Sequence, residues 1–201
     1  MKEILSRMHS GQLYNCYDEE LLKEQVQCLD HVHAYNLLRP SQQKEKQELM
    51  KKMFAELGEG CYLETPFYAN WGGKHVHLGK GVYANFHLTL VDDTHIYLDD
   101  YVMIGPNVTI CTATHPIDPT LRQQQIQYNK PVHLHKNVWV GANVMIMPGV
   151  TIGENSIIGA GSVVTKDIPA NVVAFGNPCV VYREINENDK KFFDGNKMID
   201  L

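Results

Sequence analysis

Residues 138–168 read VWVGANVMIMPGVTIGENSIIGAGSVVTKDI, and their regular spacing of apolar residues is the clearest indication of the fold. A branched apolar residue recurs at every sixth position, and the position four residues after each one carries a second small or apolar side chain. The first series is Val140, Ile146, Ile152, Ile158 and Val164, and the second is Val144, Val150, Ser156, Ser162 and Ile168. A strict period of six fits neither a helix nor alternating antiparallel strands. It predicts short parallel strands and tight turns that repeat along a solenoid.

The same period continues on the N-terminal side of this stretch. Leu98, Ile104 and Ile110 are in phase with it, and the phase resumes at Leu134 after an interruption. An earlier block of Leu78, Ala84 and Leu90 is shifted by two residues, and the slip falls at Val91-Asp92-Asp93-Thr94. A chance run of Val and Ile in a sandwich would not keep its phase across a long gap. We therefore predict an all-β parallel β-helix over residues 61–185, with coils stacked about 4.8 Å apart.

The interruption itself is a candidate functional segment. Between Ile110 and Leu134 the apolar positions fail, which predicts an excursion loop over residues 111–133. Long loops inside compact domains are usually functional. His115 lies near the start of this loop, in Thr112-Ala113-Thr114-His115-Pro116, where a rigid coil can hold an imidazole in place. The alternative is a histidine that only hydrogen-bonds the loop.

The two ends of the chain do not follow the six-residue period. Apolar residues at helical spacing predict two helices between Asp18 and Leu57, in an N-terminal helical segment of residues 1–60. Asp18 and Ser41 are the expected N-caps of these helices, and Gly58 is the expected stop. Residues 186–201 form a predicted C-terminal tail.

Composition excludes several classes of protein. The 201 residues carry a formal net charge of −5 and no basic stripe, so we expect no nucleic-acid partner. No apolar run approaches the roughly 18 residues of a membrane span, and the first residues lack a signal-peptide core, so a cytoplasmic protein without a membrane partner is expected. The five cysteines are scattered without a C-x-x-C pair, which fits reduced thiols.

Several segments together resemble the galactoside and maltose O-acetyltransferases. They are the repeat block at residues 140–164, Tyr83-Ala84-Asn85-Phe86, the pair Asp92-Asp93, the His115 loop, and GAGSVVTKDIP at residues 159–169. The resemblance implies a left-handed parallel β-helix with an N-terminal α-helical segment. It also implies a homotrimer with sites between subunits, acetyl-CoA as co-substrate, and a sugar acceptor of the galactoside, maltose or glucose type.

The resemblance also suggests the catalytic residues. It makes His115 the general base, with Asn85 beside it and the backbone N–H of Ala142 facing the thioester. Independently of any family, a sugar hydroxyl is a poor nucleophile and needs a base, and the ordinary pKa of histidine, about 6.5, suits that role. For the acceptor, the resemblance suggests that Asn70, Asn85 and Asp93 bind the sugar hydroxyls. The alternative for Asp92-Asp93 is a solvated turn.

For the coenzyme, the resemblance points to residues in the second half of the chain, namely Trp139, Ala142, Ala160, Thr165, Lys166 and Arg183. Trp139 is expected to line the tunnel between acceptor and thioester, or else to pack at a subunit seam. Two departures from the family pattern concern phosphate and sugar contacts. Val180 stands where a second arginine is expected, and Cys16 stands about where an acceptor-binding aspartate is expected, with Asp18 two residues on. The identity of the sugar therefore stays open.

Other readings remain. A cysteine route through Cys111 would need an activated thiol. A gamma-type carbonic anhydrase would bind zinc through histidines, but position 120, where its H-x4-H pair would place a histidine, is Thr120. We expect no metal, with His75, His77, His133 and His135 lining strand faces. An amine or another small hydroxyl as acceptor, and a non-catalytic trimeric scaffold, are the remaining alternatives.

Overall fold

The computed structural model describes residues 2–195 and 197–200. The helices are α1 Lys2–Ser10, α2 Glu19–Leu37, α3 Gln43–Met53 and α4 Pro119–Gln123. The strands are β1 Tyr14–Asn15, β2 Glu56–Leu57, β3 Tyr62–Leu63, β4 Tyr68–Ala69, β5 Val76–Leu78, β6 Tyr83–Ala84, β7 Thr89–Val91, β8 Ile96–Leu98, β9 Met103–Ile104, β10 Thr109–Cys111, β11 Ala113–Thr114, β12 Ile126–Asn129, β13 Val132–Leu134, β14 Trp139–Val140, β15 Met145–Ile146, β16 Thr151–Ile152, β17 Ile157–Ile158, β18 Val163–Val164, β19 Val172–Gly176, β20 Cys179–Glu184, β21 Phe192–Asp194 and β22 Lys197–Met198. Within these residues, no helix has the length and apolar character of a membrane span.

Short strands stack into three parallel sheets, and the chain visits the sheets in a fixed order. Sheet 1 contains β2, β5, β8, β13 and β16. Sheet 2 contains β3, β6, β9, β14, β17 and β19, with β20 added antiparallel at its edge. Sheet 3 contains β4, β7, β10, β15 and β18. Each coil thus has three strands and three corners, which confirms the parallel β-helix predicted from the six-residue period.

The inward side chains form ladders along the axis. Ile110, Ile146 and Val164 face one another in register on sheet 3, and each is completely buried. The second series of the repeat is buried as well, including Ser156 and Ser162. Burying a Val or Ile side chain contributes about 1.5–3 kcal/mol, so the ladders supply most of the apolar stabilisation of the solenoid.

Turns of left-handed backbone conformation form the corner between sheets 1 and 2. Asn137, Asn155 and Asn171 lie one above another there, with φ of 59°, 61° and 59°. Asparagine tolerates this conformation better than other non-glycine residues. The amide of Asn137 donates to Oδ1 of Asn155 at 3.1 Å, and that of Asn155 donates to Asn171 at 2.8 Å. This amide ladder links successive coils at the corner.

All departures from the six-residue step between Leu57 and Val164 fall at the corner between sheets 3 and 1. The step there is nine residues from Ala69 to Leu78, eight from Leu90 to Leu98, and 24 from Ile110 to Leu134. The slip at Asp92-Asp93 and the excursion loop are therefore successive insertions at one edge of the prism. We call this edge the insertion corner.

The N-terminal helices pack over the solenoid at the insertion corner. The residues that cap these helices differ partly from the sequence prediction. Asp18 caps α2 as predicted, because Oδ1 accepts from the backbone N–H groups of Glu20 and Leu21. Ser41 is not the cap of α3, whose N-cap position is Gln42. Gly58 does not end that helix either, since α3 stops at Met53 and residues 56–57 form β2. Leu57 pairs with Leu78, so its apolar side chain belongs to sheet 1 and not to a helix.

Candidate active site

The insertion corner holds a polar pocket with the Asp93 carboxylate near its base. The pocket has a volume of about 270 Å³ and extends between α2, the segment around Tyr14 and the end of β4. Oδ2 of Asp93 accepts from Nδ2 of Asn70 at 2.8 Å, and Oδ1 accepts from Nε2 of Gln127 at 3.0 Å. Oδ1 of Asn70 in turn accepts from Nε2 of Gln25 on α2 at 3.1 Å. The structure therefore brings together Asn70 and Asp93, two of the three residues predicted for the sugar.

A buried amide and phenol network supports this pocket from the loop side. The side-chain amides of Gln127 and Asn129, both on β12, lie 2.6 Å and 3.0 Å from the Tyr14 hydroxyl. Burial raises the pKa of Tyr14 above its ordinary value, so its hydroxyl keeps its proton. Strand β1 pairs antiparallel with β12, which places Tyr14 opposite Gln127. This pairing ties the N-terminal segment to the excursion loop.

Asp92 has a structural role next to Asp93, and neither residue lies in a solvated turn. Asp92 is fully buried, and its carboxylate accepts from the backbone N–H groups of Trp71 at 2.6 Å and Gly73 at 2.9 Å. Burial raises the pKa of Asp92 to about 7, although the two N–H donors and the carboxylate's own backbone N–H oppose that shift. The Asp92 backbone carbonyl accepts from Nδ1 of His75 at 2.7 Å. Asp92 thus joins the first two insertions of the corner.

His115 stands at the rim of the same corner, on the turn after β11. Its Nδ1 donates to the backbone carbonyl of Ile126 at 2.8 Å. That hydrogen bond places the proton on Nδ1 and leaves Nε2 as an unprotonated acceptor. Ile126 directly precedes Gln127, whose side chain bonds Asp93. The imidazole is exposed in the single chain, and its hydrogen bond to Ile126 anchors it to β12.

The excursion loop is ordered rather than structureless. It contains β11, the short helix α4 and β12, and β11 and β12 form a small antiparallel sheet with β1. Asp118 caps α4 by accepting from the backbone N–H of Leu121 at 3.0 Å. The sequence signalled an interruption, but two- to four-residue strands paired with distant partners carry no periodic signal of their own.

The thiols near the pocket are poorly suited to act as nucleophiles. Cys111 ends β10 at the base of the loop, and burial, with a further contribution from Asp93, raises the pKa of its thiol. Cys16 lines the pocket, its Sγ donates to the Gln125 carbonyl at 3.2 Å, and burial raises its pKa too. Because the thiolate is the reactive form, both shifts oppose a covalent acetyl-cysteine route. The carboxylate of Asp18 is occupied in capping α2.

Two of the six residues predicted for the coenzyme, Ala142 and Ala160, lie with Asn85 on another corner, between sheets 2 and 3. Asn85 follows β6 there, Ala142 follows β14 and Ala160 follows β17. Glycines precede the two alanines because the coils approach closely, and a Cβ on Gly141 would lie 2.7 Å from the backbone nitrogen of Ala160. Within one chain Asn85 and His115 therefore lie on different corners of the prism, and Oδ1 of Asn85 accepts from the backbone N–H of Phe86 at 2.8 Å.

The remaining coenzyme candidates lie on the outer surface near this corner or on the last coil. Trp139 points outward from β14 and is 48% exposed. Thr165 and Lys166 are exposed directly after β18, at the insertion corner. Arg183 on β20 forms a two-pronged ion pair with Asp189, at 2.7 Å for both contacts. Its guanidinium therefore has a carboxylate partner in the single chain.

Sequence reasoning missed four polar residues of the pocket, namely Tyr14, Gln25, Gln127 and Asn129. Gln127 and Asn129 alternate along the loop at strand spacing, which is the one signal that could have identified them. Tyr14 and Gln25 reach the site only through the packing of the head against the solenoid, which local sequence does not encode.

Two family models match parts of the chain. Residues 7–58 match the maltose acetyltransferase hexapeptide capping motif, and residues 131–166 match the bacterial transferase hexapeptide, six repeats. A curated relative is the galactoside O-acetyltransferase of Lactococcus lactis subsp. lactis strain IL1403, which is 56% identical over 199 residues, covering 99% of this chain and 96% of the relative.

Solved structures with the same fold also cover nearly the whole chain. A galactoside acetyltransferase in complex with coenzyme A superposes with a TM-score of 0.94 at 41% identity, over 98% of each chain. A maltose O-acetyltransferase from Clostridium difficile 630 superposes with a TM-score of 0.89 at 40% identity, over 92% of this chain and 98% of the other. The solenoid is thus the parallel β-helix that the six-residue period predicted, with the left hand that the family resemblance implied.

Proposed function

The chain belongs to the hexapeptide-repeat family of galactoside and maltose O-acetyltransferases, and from that premise we propose that it transfers the acetyl group of acetyl-CoA to a hydroxyl of a sugar. The observation that carries this proposal is the hydrogen bond of His115 to the Ile126 carbonyl, which leaves Nε2 as the acceptor and joins the ring to β12 one residue before Gln127, the residue that holds Asp93 in the pocket. The relatives support the same reaction class, because one of the solved structures is a galactoside acetyltransferase with coenzyme A.

His115 acts as the general base in a direct transfer. Nε2 takes the proton of the acceptor hydroxyl while that oxygen attacks the thioester carbonyl carbon. The tetrahedral intermediate then expels the CoA thiolate, which receives the proton from the imidazolium. The products are an acetyl ester and free CoA thiol. A positioned base contributes about 10²–10⁴-fold to such a rate.

The oxyanion of the intermediate needs donors, which we assign to Asn85 and the backbone N–H of Ala142. Each such donor is worth about 2.7–4 kcal/mol when deleted. These two residues lie on the corner between sheets 2 and 3, with the coil of β9 between their coils, away from the insertion corner of the same chain. A complete site therefore combines the His115 corner of one copy with the Asn85 corner of another.

This division of the site supports a homotrimer with sites between subunits. Large apolar side chains face outward on sheets 2 and 3, including Tyr68, Met103, Trp139 and Met145. Exposed apolar patches of this kind mark protein interfaces. Trp139 then lies at the seam, where it lines the tunnel for the pantetheine arm.

The acceptor binds through Asp93 and Asn70, with Asn85 contributing from the other copy. Sugar hydroxyls are both donors and acceptors, and a carboxylate beside an amide satisfies such pairs. Gln25 and Gln127 hold Asn70 and Asp93 in their orientations. Cys16 in place of an acidic residue removes one charged contact to the sugar, so the acceptor range of this chain differs from that of relatives with an aspartate there.

The coenzyme binds along Ala142 and Ala160, with Thr165 and Lys166 near its adenine end and Arg183 near a phosphate. Lysine and arginine suit phosphates by charge. Phosphate binding by Arg183 competes with its ion pair to Asp189. The scheme calls for no metal ion, and the five unpaired cysteines are consistent with the cytoplasm, where we place the protein.

A panel of galactosides, glucosides and maltose with acetyl-CoA, followed by release of free thiol, tests the proposal. We expect sugar-dependent thiol release with at least one member of the panel. Thiol release with an amine or a non-sugar alcohol alone would replace the acceptor class. If no acceptor in the panel, sugar or otherwise, led to thiol release, the proposed function would be refuted.

A further inference from the structure

We infer that the outer face of sheet 1 carries a binding site for a divalent transition-metal ion, formed by Asp99, His133 and His135. The carboxylate of Asp99 lies between the two imidazoles. Its Oδ1 is 2.8 Å from Nε2 of His133, and its Oδ2 is 3.0 Å from Nδ1 of His135. One ligand atom from each of the three residues lies within 4.8 Å of the other two, and the described residues contain no second group of three that does so.

The fold places these residues together for a simple reason. His133 and His135 are two residues apart in the extended chain of β13 and its end, so both side chains point to the outer face. Leu98 on β8 is in register with Leu134 on β13, so Asp99 lies opposite His135 on the neighbouring strand. The backbone N–H of Asp99 donates to the Leu134 carbonyl at 2.9 Å, which fixes that register at the cluster. The histidines line a strand face as the sequence predicted, but they meet a carboxylate there.

Two imidazoles and one carboxylate form a donor set that suits zinc and related ions. Zn²⁺ bonds to nitrogen and oxygen at about 2.0–2.2 Å, so its tetrahedral ligands stand about 3.3 Å apart. The 2.8 Å and 3.0 Å contacts, which go to different oxygens of Asp99, lie within about half an ångström of that spacing, and the ligand atoms that are farther apart, all within 4.8 Å, close on binding. Binding moves each N–H proton to the other nitrogen of its imidazole, and the bonds from the metal replace the two hydrogen bonds to Asp99.

The surroundings also favour a cation that arrives from solvent. Each of the three side chains is between 35% and 40% exposed, so the ion has access and a fourth position is left for water. The adjoining groove of about 360 Å³ is lined by Asp99 itself and by Glu56, Asp100 and Lys136, which gives it three carboxylates against one lysine. Tyr97 packs against His133 with ring centroids 5.3 Å apart and limits the movement of that ring.

The consequence of binding follows from the connectivity. Asp99 belongs to the coil before the excursion loop, and both histidines belong to the coil after it, so the ion would cross-link Asp99 to His135, which lies 36 positions further along the chain. Binding to the folded state alone stabilises it by mass action. The site lies at the far ends of these strands from the insertion corner, and the inference does not depend on the acetyl-transfer proposal.

The test titrates metal-stripped protein with Zn²⁺ by calorimetry and uses Co²⁺ absorption to report the coordination. We expect one equivalent per chain and a higher thermal midpoint with Zn²⁺. Outer-shell changes already weaken metal sites 10- to 100-fold, so His133→Gln, His135→Gln and Asp99→Asn should each weaken binding at least about tenfold. They should also remove the thermal shift. Circular dichroism shows whether each variant is folded, and Asp99→Asn provides the test if a histidine variant is not.

Control variants separate this site from other histidines. His31→Gln, which removes an exposed histidine on α2, should leave the zinc affinity unchanged. An absence of stoichiometric binding, or binding that survives all three ligand substitutions, would overturn the inference. Loss of binding in His115→Ala but not in the three ligand variants would equally overturn it, because the ion would then bind at the catalytic loop.

Discussion

Asn70 illustrates how much of the pocket depends on a single amide. Its Nδ2 donates to Asp93, its Oδ1 accepts from Gln25, and its backbone carbonyl lies 3.0 Å from the same Gln25 amide. The amide therefore sets the direction in which Asp93 presents its free lone pairs to a ligand. Sequence reasoning selected Asn70 and Asp93 through the family resemblance, but it could not show that helix α2 holds Asn70 in place.

Asn70→Ala should weaken binding of the sugar and leave binding of the coenzyme unchanged. We expect KM for the sugar to rise at least about fivefold, since a hydrogen bond in a buried site contributes about 0.5–1.5 kcal/mol and a charged partner more. KM for acetyl-CoA should stay within about twofold and serves as the internal control. Equal changes in both constants, measured by steady-state kinetics with each substrate varied in turn, would speak against a sugar-side position for Asn70.

His75 makes the folded protein sensitive to acid. Burial lowers its pKa to about 3, so the folded state keeps the ring neutral where an unfolded chain takes up a proton. Between the ordinary histidine pKa of about 6.5 and the folded value, the unfolded state binds more protons, and stability therefore falls as the pH falls. Below the folded pKa of about 3 the ring is protonated in both states, so the loss of stability that His75 causes grows no further.

His75→Gln should flatten this dependence. The wild type should lose roughly 1 kcal/mol per pH unit more than the variant as the pH falls from 6.5 to 4.5. Urea unfolding at several pH values measures the two slopes, and Asp92, whose raised pKa acts in the opposite sense, contributes to both proteins. Parallel slopes would mean that His75 is protonated in the folded state.

At the scale of the strands, the six-residue period predicted more of the structure than any other signal. Both apolar series lie inside, as predicted, because each coil repeats the same three corners and only branched or small side chains fit the narrow core.

The helical head was less predictable. Val26 and Leu29 follow a helical period but are largely exposed, while Leu21, Val32 and Tyr35 are buried. Which face of α2 is buried depends on where the head docks, and local sequence does not specify that. The boundary drawn at residue 60 stays a prediction, since β2 already pairs with β5 before it.

Adjacent residues of β16 provide a matched test of the ladders. Ile152 is completely buried and stacks on Leu134, whereas Thr151 points outward. Ile152→Ala should lower the free energy of unfolding by about 2–5 kcal/mol, because it opens a cavity in a core that cannot collapse around it. Thr151→Ala, the control, should change stability by less than about 1 kcal/mol. Similar losses in chemical denaturation would contradict the assignment of inner and outer positions.

At the scale of the whole molecule, the proposed mechanism leaves the single chain without a complete site. His115 and the residues proposed for the sugar, Asn70 and Asp93, occupy the insertion corner, and Asn85, Ala142 and Ala160 occupy the corner between sheets 2 and 3. The period places residues 85 and 93 after successive strands and so on different corners, but it does not show which corner of another copy faces them. Assembly is then a condition for catalysis, and the apolar outer faces of sheets 2 and 3 are the surfaces available for it.

Met103→Asp tests that condition. Met103 points outward on sheet 2 in register with Trp139, and a charge buried there would oppose association. We expect the native protein to have three times the chain mass of 22.8 kDa, and the variant to dissociate and lose activity together. Light scattering and the thiol-release assay measure the two properties. Thr151→Lys places a charge on sheet 1 and should leave the trimer intact. A monomeric variant with full activity would refute sites shared between subunits.

The most direct test of the account compares acetyl transfer by the wild type and His115→Ala at saturating acetyl-CoA and sugar, with acetyl-CoA affinity measured on both proteins. His31→Ala, an exposed histidine on α2, serves as the control and should keep its activity. We predict that kcat of His115→Ala falls by about 10²–10⁴-fold while its affinity for acetyl-CoA is unchanged. A normal kcat in that variant, or a loss of activity explained wholly by weaker acetyl-CoA binding, would contradict the role of His115 as the base.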